Sequence, residues 1–147
     1  MYLVSACLAG INCRYDGGNN FNKNVADLVK SGKAVPVCPE VLGGLDTPRV
    51  PSEIAADQHG NKKVITENGQ DITAEFKLGA EKTIKIARIV EAKKTILKQR
   101  SPSCGCGKIY DGTFSGNLIK GNGFTAELLI ENGIEVLTED DLERDSL

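Results

Sequence analysis

Five cysteines are the residues of this chain best suited to chemistry, and their number is odd. A chain of 147 residues is long enough to bury a hydrophobic core without disulfide bonds. The thiols are therefore core residues, metal ligands or catalytic groups. Free cysteine often behaves as a small buried hydrophobe, so core packing stays an alternative for Cys7 or Cys38 taken alone.

The hydrophobic pattern predicts strands that alternate with helices. Short apolar runs predict strands at residues 2–6, 34–37, 94–98 and 134–137. Spaced apolar residues with end signals predict helices at residues 22–31, about 73–92 and 124–132. Residues 63–66 resemble a further strand before a tight turn at Asn68-Gly69, and the acidic tail 138–147 a short turn or helix. Pro36 predicts limited pairing of the second strand.

This alternation predicts an α/β fold with a small, mostly parallel, Rossmann-like sheet of about four strands flanked by helices. Residues 39–61, after the second strand, are rich in proline and predict a long functional loop. A second loop, residues 100–123, is rich in glycine and serine. The chain has no internal repeat, so we expect a single α/β domain over residues 1–147.

Three cysteines follow predicted strands at the point where each strand ends. Cys7 and Cys38 come directly after the first two strands, and Cys104 lies a few residues past the third. Ligands of open parallel sheets bind beyond the carboxyl ends of the strands, so we expect the three thiols to meet there. Cys13 and Cys106 do not follow strands in this way, and we interpret both as accessory or incidental.

The cysteine spacing favours an iron–sulfur cluster over zinc. Structural zinc sites usually show close Cys-x-x-Cys pairs, which the chain lacks, and Cys104-x-Cys106 is too tight for that signature. The one histidine, His59, lies in a polar loop, where a solvated side chain is the ordinary interpretation. Thiolates spread through the fold and flanked by glycine or proline suit an iron–sulfur cluster better.

Polar side chains near these cysteines form a candidate site. Each charged residue, judged singly, is more often a solvated loop side chain, but the set shares one predicted sheet edge. Its members are Arg14, Asp16, Glu40, Arg49, Ser101 and Ser103. A carboxylate beside a metal acts as acid or base, and hydroxyls position a substrate or water.

Composition argues against several other classes of protein. A formal net charge of −2 and 5% aromatic residues offer neither the basic field nor the stacking platform of nucleic-acid binding. No apolar run approaches a membrane span, and only six residues precede Cys7, too few for a signal peptide. We therefore expect a cytoplasmic protein without nucleic-acid or membrane partners. The oligomeric state stays open.

Residues 121–126 formally fit the Gly-x-Gly-x-x-Ala dinucleotide pattern and open a predicted helix. The match lies late in the chain and follows only a weak strand at Leu118-Ile119. A glycine-rich turn is the favoured interpretation, and nucleotide binding stays an alternative.

The motifs resemble a bacterial domain-of-unknown-function family whose characterised member is thiouracil desulfurase. The resemblance covers nearly the whole chain. It is carried by Val4-Ser5-Ala6-Cys7-Leu8-Ala9-Gly10 with Arg14-Tyr15-Asp16-Gly17, by Pro36-Val37-Cys38-Pro39-Glu40 continuing through Thr47-Pro48-Arg49, by Asp71-Ile72-Thr73, by Ser101-Pro102-Ser103-Cys104-Gly105, and by Tyr110-Asp111-Gly112-Thr113-Phe114.

The resemblance implies a 4Fe–4S cluster on Cys7, Cys38 and Cys104, with an open iron that binds the sulfur of a thiolated pyrimidine. Sulfur would leave as sulfide without net redox change, and water would supply the oxygen. By position it implies Glu40 and Ser101 as catalytic groups. Arg14, Asp16, Arg49 and Ser103 are implied as substrate contacts or support. A non-enzymatic sulfur carrier or small-ligand sensor is the alternative, and such a cluster is expected to be lost from a sample handled in air.

Overall fold

The computed structural model describes residues 1–144 of the chain. The strands are β1 (Tyr2–Ser5), β2 (Ala34–Val37), β3 (Ser52–Ala56), β4 (Lys62–Thr66), β5 (Lys94–Leu97), β6 (Lys108–Tyr110), β7 (Leu118–Lys120) and β8 (Glu135–Thr138). The helices are α1 (Lys23–Lys30), α2 (Pro39–Leu42), α3 (Thr73–Ile89), α4 (Phe124–Glu131) and α5 (Glu139–Arg144). A 3-10 turn, Ala6–Ala9, follows β1 directly.

Four strands form one parallel sheet in the order β2-β1-β5-β8, which confirms the predicted fold class. The central strands are apolar on both faces because helices cover both, and Leu3, Val4, Ile96 and Leu97 are fully buried. Pro36 lies in β2 at the edge of the sheet, where a missing backbone N–H is tolerated.

Successive residues of β1 point to opposite faces and so contribute to two cores. Leu3 packs in the cluster that includes Ile84 of α3 and Leu129 of α4. Val4 packs on the other face, in the cluster that includes Val25 of α1. The helices therefore divide between the two faces and leave the carboxyl edge of the sheet free for loops.

The two predicted loops contain more regular structure than expected. The segment 39–61 is not wholly irregular, because it begins with α2 and contains β3, which pairs antiparallel with β4. The segment 100–123 contains the β6–β7 hairpin. These strands have three to five residues, too short for a clear alternating pattern.

Most of the other predicted elements are confirmed within a few residues. Helix α3 ends at Ile89 rather than near residue 92, and α5 confirms a helix in the acidic tail. Residues 145–147 lie outside the described chain, so the single domain over 1–147 stays a prediction. Among the described residues, no helix has the length and apolar character needed to cross a membrane.

Candidate active site

One cavity of about 520 Å³ lies at the carboxyl edge of the parallel sheet and is lined by four of the five cysteines. Cys7 comes from the 3-10 turn after β1, Cys38 follows β2, and Cys104 lies in the loop after β5. Because β2, β1 and β5 are neighbours in the sheet, their ends deliver these three thiols to the same place. Cys13, from the loop after the 3-10 turn, also lines the cavity.

Cys38 lies directly before α2, at its N-cap position. The backbone N–H of Val41 points at the Cys38 sulfur, and the thiol of Cys13 hydrogen-bonds to it as well. Chiefly through the contact with Cys13, these interactions lower the pKa of Cys38 to about 7. The lowered pKa favours the thiolate of Cys38, which is the form that binds metal.

Cys7 is held from two sides in the first loop. The thiol of Cys13 and the side chain of Asn20 hydrogen-bond to its sulfur, and these contacts lower the pKa of Cys7 although burial opposes them. Asn20 is oriented by Arg14, whose Nη1 donates to Asn20 Oδ1 at 2.8 Å. Lys98, at the end of β5, adds a nearby positive charge that also favours the Cys7 thiolate.

Cys104 is the most deeply buried of the three. Burial raises the pKa of its thiol to about 12, against hydrogen bonds with Ser5 and Ser103 that favour the thiolate. The hydroxyl of Ser103 lies 3.6 Å from the Cys104 sulfur. The backbone N–H of Cys104 donates to Ser101 Oγ at 2.7 Å, which fixes the turn that carries the thiol. A metal centre at this position would displace the thiol proton.

Glu40 and Arg49 form a largely buried ion pair beside the thiols. Arg49 Nε lies 3.1 Å from Glu40 Oε1, and the side chains are 10% and 15% exposed for Arg49 and Glu40 respectively. The other carboxylate oxygen, Glu40 Oε2, accepts a hydrogen bond from Ser103 at 2.8 Å. Ser103 in turn lies 3.3 Å from Ser101. A continuous polar chain therefore connects Arg49 through Glu40 and Ser103 to Ser101.

Arg49 also fastens the loop that carries Cys13. Its Nη2 donates to the backbone carbonyl of Cys13 at 2.8 Å, and its Nη1 donates to Asp46 and Thr47. One guanidinium thus connects the loop after β1, the segment after α2, and Glu40.

Of the predicted site residues, all but Asp16 line the cavity. Asp16 lies 3.3 Å from Arg14 and accepts a hydrogen bond from the backbone of Gly18, so it stabilises the loop from outside. Cys106 is also absent from the lining. Sequence reasoning missed several lining residues, among them Cys13, Ser5, Asn20, Lys98 and Arg100. Ser5 and Lys98 could have been found, because each stands at or beside the carboxyl end of a central strand.

The cavity is lined by more cationic than anionic side chains. The lining cations are Arg14, Arg49, Lys98 and Arg100, and the lining carboxylates are Glu40 and Glu53. A cluster bound through three thiolates is a negatively charged group, so this balance suits it.

The Gly-x-Gly-x-x-Ala pattern serves to hold the Cys104 loop. The first N–H groups of α4 are occupied by loop carbonyls, with Phe124 donating to Pro102 at 2.9 Å and Thr125 to Ser103 at 2.9 Å. A Cβ on Gly123 would lie 2.5 Å from the backbone of Ser103, so only glycine permits this contact. A phosphate would find no free donors here, and the glycine-rich turn is the correct interpretation.

The donor set fits a multi-iron cluster. Within residues 1–144, no three histidine, cysteine, aspartate or glutamate side chains are grouped closely enough to surround one metal ion. A cluster binds each thiolate through a separate iron, so its ligands need not converge on one point. Each of Cys7, Cys38 and Cys104 also has a hydrogen-bond donor at its sulfur, as ligands of such clusters commonly do.

Fold and site together define an α/β protein that presents cysteine thiols and a largely buried glutamate–arginine ion pair where the strands of a parallel sheet end. Comparison with known families identifies the particular family. A family model described as 2-thiouracil desulfurase matches residues 2–141. The chain belongs to that family, and the predicted resemblance is confirmed.

Two relatives cover almost the whole chain. The protein of Bacillus subtilis (strain 168) named "Uncharacterized protein YbbK" is 46% identical in an alignment of 147 positions that covers 97% of this chain and 97% of its own. The solved structure of the 4Fe-4S-dependent thiouracil desulfidase TudS has a TM-score of 0.87 and 42% sequence identity, and covers 97% of this chain and 93% of its own. The fold is therefore shared as well as the sequence.

Proposed function

We propose that this protein is a 4Fe–4S-dependent desulfidase that removes sulfur from thiouracil or a closely related thiolated pyrimidine. The observation that carries the proposal is the convergence of Cys7, Cys38 and Cys104 on one cavity, beside a buried carboxylate. The family of the chain and its similarity to TudS support the reaction and the cofactor. Overall, a thiocarbonyl compound and water yield the carbonyl compound and hydrogen sulfide.

In this proposal Cys7, Cys38 and Cys104 hold the cluster. When bound, the cluster supplies an iron with a free coordination position that accepts the substrate sulfur. The protein contributes the thiolates, the hydrogen bonds that orient them, and a cavity whose lysine and arginine side chains balance the negative charge of the site. A volume of about 520 Å³ falls in the ordinary range of small-molecule pockets.

Glu40 is the group that moves protons in this proposal. Hydrolytic desulfuration requires a base that takes a proton from the attacking water and an acid that delivers one to the departing sulfur. The ion pair with Arg49 holds the Glu40 side chain in the cavity lining, where it is placed to accept the first proton. Ser103 and Ser101 extend from its second oxygen and orient water or substrate.

The test is a product assay on protein reconstituted anaerobically with iron and sulfide. With 2-thiouracil we expect uracil and sulfide in equal amounts. Glu40→Gln keeps the size of the side chain but removes the base, and should lower turnover about 10²- to 10⁴-fold while the cluster spectrum stays. Cys7→Ala should lose both cluster and turnover.

Cys106→Ala is the matched control, because Cys106 lies outside the cavity. This variant should retain four irons per chain and wild-type turnover. The enzymatic function would be rejected if the fully loaded wild-type protein released no uracil. Transfer of its cluster to an apo-acceptor would then indicate a cluster carrier.

A further inference from the structure

The β6–β7 hairpin contributes to the wall of the cavity, and the proposed reaction assigns it no role. Residues 111–117 join the two strands, and two residues of the hairpin, Tyr110 and Gly116, line the cavity. The hairpin also contains the motif Tyr110-Asp111-Gly112-Thr113-Phe114, which is part of the family resemblance. None of these residues is a ligand of the cluster in the proposed function, so their part in the site needs another explanation.

Glu53 of β3 holds this hairpin by its backbone. The Glu53 Oε1 atom accepts a hydrogen bond from the N–H of Gly112 at 3.0 Å and another from the N–H of Phe114 at 3.2 Å. The hairpin also lies directly on β3, because a Cβ on Gly112 would be 2.8 Å from the carbonyl oxygen of Ile54. One side chain and one strand therefore fix the hairpin loop beside the cavity.

The conformation of the hairpin loop depends on this support. Phe114 has a φ of 56°, in the left-handed region that residues other than glycine rarely adopt. Such a backbone costs free energy and persists only where its surroundings hold it in place. Because the N–H of Phe114 is itself a donor to Glu53, removal of the carboxylate should release the loop.

Glu53 and Glu40 differ in what their carboxylates contact, although both line the cavity. Glu40 contacts the side chains of Arg49 and Ser103. The hydrogen bonds of Glu53 are instead with backbone groups of the hairpin. This arrangement suits a residue that positions a wall of the site rather than one that transfers protons.

Tyr110 is the hairpin residue best suited to contact a substrate. It is half-buried, ends β6 directly before the loop that Glu53 holds, and lines the cavity. The other lining aromatic residue, Tyr15, is 43% exposed and has the guanidinium of Arg14 at 5.6 Å from its ring centre. Aromatic side chains bind the rings of nucleobases by stacking.

We propose that Tyr110 stacks on the pyrimidine ring of the substrate and that Glu53 is a positioning residue, which fixes Tyr110 by holding the backbone of the hairpin. The inference rests on the proposed function, because it takes a thiolated pyrimidine as the substrate. Stacking of this kind is equal in the bound substrate and in the transition state, so its loss raises KM and leaves kcat unchanged. The proton transfer assigned to Glu40 is not affected.

The test combines KM and kcat for 2-thiouracil with hydrogen–deuterium exchange of the hairpin amides, measured by mass spectrometry without substrate. Glu53→Ala removes the acceptor, so exchange over residues 111–116 should become faster and KM should rise about 10-fold, the usual effect of losing one stacking contact. Glu53→Gln keeps an oxygen that accepts both N–H groups, and should retain the wild-type KM, kcat and exchange. Tyr110→Ala should also raise KM, and the double variant should have no larger effect than Tyr110→Ala alone.

Asp57→Ala is the matched control. The Oδ1 atom of Asp57 also accepts hydrogen bonds from two backbone N–H groups, those of His59 and Asn61, but Asp57 does not line the cavity. This variant should leave KM unchanged.

Three results would overturn the proposal. They are a wild-type KM in Glu53→Ala, a fall in kcat in Glu53→Gln, which would make Glu53 a proton-transfer group, and additive effects in the double variant. If Glu53→Ala does not load iron, Glu53→Asp, whose carboxylate is one methylene group shorter, is judged by the same criteria; failure of both variants to load iron would assign Glu53 to the fold and reject the proposal. Failure of the desulfidase itself shows as wild-type protein that releases no uracil, whereas the exchange experiment still reports whether Glu53 holds the hairpin.

Discussion

Replacement of Gly79 by alanine tests how the fold positions the site from a distance. Helix α2, which carries Glu40 and follows Cys38, packs against α3 through two glycines, Gly43 and Gly79. A Cβ on Gly79 would lie 1.9 Å from the carbonyl oxygen of Pro39, whereas real Cβ contacts stay above 3.0 Å. The two helices must therefore separate by about 1 Å to admit one methyl group.

The sign of the change in unfolding free energy shows whether close packing or helix propensity dominates at Gly79. In an open helix interior, glycine to alanine stabilises by about 1 kcal/mol. Overpacking costs about 1–3 kcal/mol, so we expect Gly79→Ala to lower the free energy of unfolding by up to about 2 kcal/mol. For a chain of this size that corresponds to a fall in Tm of a few degrees.

Gly79→Ala should reduce the turnover rate by more than its loss of stability alone would explain. A displacement of about 1 Å in catalytic groups can cost about 10²-fold in rate. Because α2 carries Glu40 and fixes Cys38, we expect turnover of 2-thiouracil by Gly79→Ala to fall by about that factor at full iron loading. Thermal unfolding, iron content and uracil production are measured on the same preparation.

Gly121→Ala provides the matched control. Its Cβ would approach only side-chain atoms of Ile109, at 3.0 and 3.2 Å, and no backbone atom, and Gly121 does not line the cavity. We expect less than about 1 kcal/mol of change and wild-type turnover. The reasoning is refuted if Gly79→Ala has a raised Tm and unchanged turnover.

Three further predictions concern the polar chain and the thiols. Arg49→Met leaves Glu40 largely buried without its ion-pair partner, so turnover and the free energy of unfolding should both fall; wild-type turnover together with an unchanged denaturant midpoint would contradict this. Ser103→Ala removes the single hydroxyl that donates to Glu40 at 2.8 Å and lies 3.6 Å from the Cys104 sulfur, and should cost about 1–3 kcal/mol in denaturant unfolding; no change would show that water replaces the hydroxyl. In chelator-treated protein, iodoacetamide should label Cys38 with a rate that rises through about pH 7, while Cys104, with a pKa of about 12, stays unlabelled; equal labelling by mass spectrometry would contradict the assigned environments.

The parallel sheet could be predicted from sequence because its strands are continuous apolar runs. Residues of β1 and β5 are buried on both faces, and such runs stand out against polar loops. The placement of Cys7 and Cys38 followed from the same signal, since each comes at a strand end. The order of the strands could not be read from the pattern, because it depends on which helices cover which face.

The contacts within the site were not predictable from spacing. The pairing of Glu40 with Arg49 depends on a turn that brings a segment nine residues further on back against α2. The contact of Ser103 with Glu40 joins residues 63 positions apart. Cys13 carried no strand-end signal, and its place in the cavity lining arises from the path of a loop. Such contacts depend on tertiary structure rather than local periodicity.

The central claim is that Cys7, Cys38 and Cys104 together hold the cluster. A crystal of the anaerobically reconstituted protein, measured at the iron absorption edge, locates the irons directly by anomalous scattering. We predict one compact iron peak in the cavity, with these three sulfurs bound to separate irons. Iron density at Cys106 or elsewhere, or a cluster that lacks any one of the three sulfurs, would contradict the account.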